Sequence, residues 1–123
     1  MIFFDNIYDI LSLFFATSLF QEQFSPMNPH HIDTLTIHTA FMAATGVSIE
    51  NGMSNTAYFE AEIKRAICNN SRRIVLLADH TKFGRDALIS YCSLEKVSAV
   101  VTDREPTAEF MRFFHSYGTK ILF

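Results

Sequence analysis

The run Asp79-His80-Thr81-Lys82-Phe83-Gly84 follows directly on the apolar stretch Arg73-Ile74-Val75-Leu76-Leu77-Ala78. A buried strand ending there releases an acid, a hydroxyl, a lysine and a glycine turn into one small volume. In open α/β sheets, ligands bind outside the carboxyl ends of the strands, so this segment says where to look for function. Lys82 is the natural charge partner for a phosphate or carboxylate. Asp79 is placed to orient Lys82 or to accept a hydrogen bond from a sugar hydroxyl. Taken alone, an aspartate at a strand end commonly caps the next turn, and a nearby lysine is commonly solvated. The neighbouring elements must decide between the two.

Residues 37–44 predict a buried strand and residues 45–56 a loop, with Gly46 and Gly52 for the turns and Ser48, Asn51, Ser54 and Asn55 for turn chemistry. Asn55 or Thr56 is the expected cap of a helix running to about Asn70. Its apolar stripe would be Phe59, Ile63, Ala66 and Ile67, with Glu60 and Lys64 paired on another face. Glu60 and Glu62 read as an exposed helix face, and Asn69-Asn70 as a left-handed stop. The unbroken apolar character of 73–78 predicts a strand covered on both faces. Short strands are expected around 88–91, 97–102 and 121–123. Pro106-Thr107 opens a further helix with Phe110, Phe113, Phe114 and Tyr117 as its core stripe and Gly118 at its C-terminal cap. This alternation predicts an α/β fold with a mainly parallel sheet flanked by helices. The loops 45–56, 79–84 and 103–106 would then share one edge and offer Asn51, Ser54, Asn55, Asp79, Thr81, Lys82, Asp103 and Arg104. The start of the helix after Asn55 adds free N–H groups that favour an anion. Such an edge suits a phosphorylated polyol.

A chain of 123 residues is one domain by length, and 13 phenylalanines give it a Phe-rich core. The net charge of −3 excludes a global basic field for nucleic acid. Cys68 and Cys92 match no metal-ligand spacing and read as small buried hydrophobes in a reducing, cytoplasmic compartment. His30-His31 reads as a polar loop after Pro29, and no metal or cofactor is expected. Residues 1–24 form an unassigned apolar segment, with Ile7, Ile10, Leu11 and Phe14 at helical spacing. It has neither the basic start of a signal peptide nor the charge-free length of a membrane span. Pro26 and Pro29 break the chain after it, so residues 25–123 form the expected domain.

Four pieces in order resemble the C-terminal sensor domain of DeoR-type bacterial transcriptional regulators. They are residues 40–55, 59–66, Val75-Leu76-Leu77-Ala78-Asp79-His80-Thr81-Lys82-Phe83-Gly84, and 100–106. The family's Asp-x-Ser-Lys turn falls on Asp79 to Lys82, with Thr81 in place of serine. Its glycine loop falls on Gly46 to Asn55 and its Glu-x-x-x-Lys-Arg helix on Glu60 to Arg65. The resemblance implies a fold shared with ribose-5-phosphate isomerase and CoA-transferase domains, used without catalysis as a receptor for phosphorylated sugars. It implies a ligand site at Gly46, Asn51, Gly52, Ser54, Asn55, Glu62, Asp79, Thr81 and Lys82. It also implies a homo-oligomer that reaches DNA only through a helix-turn-helix, and none is found in these residues. The expectation is therefore a sensor truncated at its N-terminus, with part of its pocket wall absent. The alternatives are a sugar-phosphate isomerase-like enzyme, with Asp79, Glu60 or Glu62 as proton shuttle, and a non-catalytic dimerisation module built on residues 2–20.

Overall fold

Parallel strands need crossovers, and the apolar runs of this chain are spaced to provide them. The computed structural model describes Ile32 and residues 36–123. The helix expected within 1–24 lies outside the described residues. So does the turn expected over 30–35, apart from Ile32, which is helical and buried. The elements run β1 (Ile37–Ala43), β2 (Gly46–Ser48), β3 (Gly52–Asn55), α1 (Tyr58–Asn69), β4 (Ser71–Leu77), β5 (Ile89–Cys92), β6 (Ala99–Val101), α2 (Ala108–Ser116) and β7 (Lys120–Leu122). Single 3-10 turns lie at His80–Lys82 and Leu94–Lys96.

The main sheet has the order β1-β4-β6-β7, and every pairing in it is parallel. Its register brings the strand ends level: Ala43 sits opposite Leu77, Leu77 opposite Val101, and Val101 opposite Leu122. The mainly parallel α/β architecture expected from the alternation of elements is therefore the observed one. Alternation along β1 and β4 sends Ala40, Met42, Ile74 and Leu76 into a large core shared with Ala61 and Cys68 of α1 and Phe110 and Phe114 of α2. Phe41, Val75, Leu77, Ala99 and Val101 form a smaller cluster on the opposite parity.

Residues 45–56 are not a loop. They form an antiparallel hairpin, β2 and β3, extended by β5 into a second, three-stranded sheet. Every residue of both hairpin strands is buried. The serines and asparagines that suggest a solvated turn instead satisfy one another and neighbouring backbone inside the fold. Gly52 takes φ +72°, and a Cβ there would lie 2.1 Å from the Cys92 carbonyl oxygen, so only glycine lets the turn press against β5.

Helix α1 departs from its expected phase. Phe59 is 49% exposed, while the buried positions are Ala61, Lys64, Ala66 and Cys68. Small residues at 61 and 68 allow the helix to sit close to the sheet, and that close approach sets its rotation. The N-cap is Ala57, with no side-chain cap bond, in place of Asn55 or Thr56. The helix ends at Asn70 with φ −105°, so the left-handed stop is absent; the Asn70 side chain donates instead to the Ala66 carbonyl at 2.8 Å. In α2, Phe110 and Phe114 are core as expected, whereas Tyr117 is exposed and Gly118 takes the left-handed conformation, φ +70°.

Candidate functional site

Beyond the level row of strand ends, the chain leaves β4 into Asp79 and leaves β6 into Asp103. Asp79 accepts from the Thr81 backbone N–H at 2.8 Å and from the Thr81 hydroxyl, closing the 3-10 turn. The Thr81 hydroxyl is the main reason the Asp79 carboxyl is held below its ordinary value, and nearby Lys82 adds to the effect. Asp103 reaches across from the next strand. It accepts from the His80 backbone N–H at 2.7 Å, and its second oxygen meets His80 Nδ1 at 2.6 Å. Burial alone would raise the Asp103 carboxyl, but the bonds from His80 outweigh it and hold it low. The turn after β4 and the turn after β6 are thereby tied together at the edge.

The hairpin is bound to the same edge. Val47 bridges Phe83, and the Gly84 N–H donates to the Val47 carbonyl at 2.8 Å. A Cβ on Gly46 would lie 2.5 Å from the Arg85 carbonyl oxygen, so glycine is what lets the strand and the 84–87 segment touch. The Ser54 hydroxyl, fully buried, donates to the Gly46 carbonyl at 3.3 Å and accepts from the Ala87 N–H at 2.8 Å. Gly46, Gly52 and Ser54 therefore shape the wall from inside the packing.

Next to this turn, at the end of β1, lies a polar cluster that the sequence reading places wrongly. Lys64, 4% exposed, points inward rather than standing with Glu60 on a separate face. Its Nζ donates to the Ala43 carbonyl at 2.8 Å and to Asn55 Oδ1 at 3.1 Å. Asn55 Nδ2 in turn donates to Glu60 Oε2 at 3.0 Å, and the Tyr91 hydroxyl donates to the same Ala43 carbonyl at 2.7 Å. Burial lowers the Lys64 amine from 10.5 to about 8, against the opposing pull of Glu60. Burial also raises the Tyr91 hydroxyl well above its ordinary value. Among the described residues, no buried side-chain nitrogen or oxygen lacks a partner.

The nine expected site residues thus fall into separate neighbourhoods. Asp79, Thr81 and Lys82 share the edge beyond β4, and Asn55 belongs to the Lys64 cluster at the adjacent strand end. Asn51 and Gly52 line a cleft of about 350 Å³ together with Arg65, Cys92 and Lys96. Glu62 pairs with Arg65, which also donates to the Ser90 carbonyl at 2.6 Å on the rim of that cleft. Sequence reasoning missed Lys64, Tyr91 and the direct His80–Asp103 contact. A signal for Lys64 does exist: Ala61, Lys64 and Cys68 recur at i, i+3 and i+7, a stripe of small residues with a lysine between them. No group of three or more metal-ligating side chains occurs among the described residues.

The described chemistry meets known proteins at this point. The model of the DeoR C-terminal sensor domain matches residues 20–104. The HTH-type transcriptional regulator IolR of Bacillus subtilis (strain 168) is 32% identical over 90 residues, which are 73% of this chain and 36% of that protein. The glycerol-3-phosphate regulon repressor of Escherichia coli (strain K12) is 37% identical over 71 residues, 58% of this chain and 28% of that protein. The HTH-type transcriptional regulator GolR of Listeria innocua is 27% identical over 90 residues, 73% of this chain and 35% of that protein. The chain spans about a third of the length of these relatives. The matched residues run from before β1 to the turn carrying Asp103, so they take in the strand-end edge and the Lys64 cluster, and the chain belongs to the DeoR C-terminal sensor domain family.

Proposed function

We propose that this chain is the effector-sensing part of a DeoR-type transcriptional repressor of sugar metabolism, and that it binds a phosphorylated sugar or polyol without turning it over. The observation that carries this reading is the edge where the 79–82 turn, Asp103 and the Asn55–Lys64 cluster stand at neighbouring strand ends. Lys82 supplies the cation for the phosphate. Asp79 and Thr81 supply acceptor and donor for hydroxyls, and the hairpin from Gly46 to Asn55 forms the wall. The printed name of one relative, the glycerol-3-phosphate regulon repressor, supports a phosphorylated polyol as the class of effector. DNA contact is assigned to a helix-turn-helix outside these residues, acting in a cytoplasmic homo-oligomer. Among the described residues no helix is long and apolar enough to cross a membrane.

A ligand that binds only the folded state raises its unfolding temperature. A thermal-shift series with phosphorylated sugars and polyols beside their unphosphorylated parents tests the reading. The phosphorylated compounds are expected to raise the transition and the parents to leave it unchanged. A flat response across a broad phosphorylated panel, in folded protein, would overturn it.

A further inference from the structure

Cys68 and Cys92, distant in sequence, meet in the fold. Cys68 lies in the last turn of α1, Cys92 ends β5, and both are buried in the same core cluster as free thiols. Their side chains hydrogen-bond to each other across the α1–β5 contact. A buried free cysteine is ordinarily inert packing. Two features set this pair apart. Each thiol has the other as its neighbour, and Cys92 lines the open cleft beside Asn51, Gly52, Arg65 and Lys96, whereas Cys68 is not among the lining residues. One sulfur therefore faces the route from solvent and the second waits next to it, which is the arrangement of an attacking and a resolving cysteine.

We propose that Cys68 and Cys92 are a redox couple that closes an intramolecular disulfide when the protein meets a hydroperoxide, with Cys92 reacting first and Cys68 resolving. The Cys92 thiolate attacks the terminal peroxide oxygen. An S–O bond forms, the O–O bond breaks, and the departing oxygen takes a proton to leave as an alcohol, or as water when the oxidant is hydrogen peroxide. The Cys68 sulfur then attacks the Cys92 sulfenic acid. The S–S bond forms, the S–O bond breaks, and the hydroxide leaves as water with the Cys68 proton. Two thiols lose two electrons and two protons, and the hydroperoxide is reduced to alcohol and water. The order of attack agrees with the acidity of the pair: the hydrogen bond from Cys68 lowers the Cys92 thiol, helped by nearby Lys96, while Cys68 itself is raised. The new bond would lock α1 to β5 and remove the thiol one turn from Lys64, so oxidation state reaches the polar cluster at the strand ends.

The test oxidises the reduced full chain with one equivalent of hydrogen peroxide, counts thiols, and maps peptides by mass spectrometry without reduction. The expected result is joint loss of both thiols and a Cys68–Cys92 cross-linked peptide that dithiothreitol releases. With Cys68→Ser, Cys92 is expected to stop at the sulfenic acid and to be tagged by dimedone. With Cys92→Ser, Cys68 is expected to stay reduced. Survival of both thiols in the unsubstituted chain, a disulfide only between chains, or oxidation of Cys68 without Cys92 would overturn the proposal. The thiol count and peptide map of the unsubstituted chain decide the matter even if a variant does not fold.

Discussion

Lys64 concentrates the chemistry of single residues in this domain. A lysine this deeply buried is stabilised by its two acceptors but penalised for carrying charge, and the second effect sets its acidity. Its folded value near 8 lies below the 10.5 of an exposed lysine. Between those values the unfolded chain binds more protons than the folded one, so stability rises with pH. Below about pH 8 the charge penalty is present in full, and above 10.5 it is gone. Cys68 and Tyr91 are shifted upward and act in the opposite sense at alkaline pH. The Lys64 contribution is therefore isolated by comparison with Lys64→Met. Urea denaturation from pH 7 to 10.5 is expected to show the unsubstituted chain gaining on the variant above pH 8, by at most about 1.4 kcal/mol per pH unit. Parallel profiles would mean that Lys64 is charged and solvated after all. The sequence did not reveal this residue because an i,i+4 Glu–Lys pair looks the same whether it is solvated or buried. Only the rotation of α1, set by Ala61 and Cys68 packing closely, separates the two.

At the scale of elements, the strands and both helices were legible because their runs are long and their periods distinct. The hairpin was not, since strands of three and four residues made of Gly, Val, Ser, Met and Asn carry no alternating pattern. Its stability comes from tertiary contact: β5 on one side, and the Phe83 bridge and the Ser54–Ala87 bond on the other. The glycines separate these roles. Gly52→Ala must fit a Cβ against the Cys92 carbonyl at positive φ, and is expected to cost at least about 2 kcal/mol. Gly118→Ala meets only the conformational penalty, since nothing lies within 4 Å of its added Cβ, and is expected to cost about 1 kcal/mol. Thermal or urea unfolding of the two variants checks the ranking. Equal losses would show that the hairpin turn is not pressed against β5.

For the molecule as a whole, the decisive feature is the level row Ala43, Leu77, Val101 and Leu122, which collects the outgoing turns on one edge. The convergence of loops was readable from the alternation of strands and helices, because parallel strands leave no other place for their connections to begin. The order of the strands, and hence the contact between His80 and Asp103, was not readable, since sequence spacing does not say which strands are neighbours. The central claim is that this edge holds an anion through Lys82. Calorimetric titration of the full chain and of Lys82→Met with a phosphorylated polyol, glycerol 3-phosphate among the first tried, tests it most directly. The account expects measurable binding by the unsubstituted chain and a loss of roughly tenfold or more in the variant, because a charge-assisted contact to phosphate is removed. Equal affinity of the two proteins, or equal affinity for the phosphorylated and unphosphorylated polyol, would contradict it.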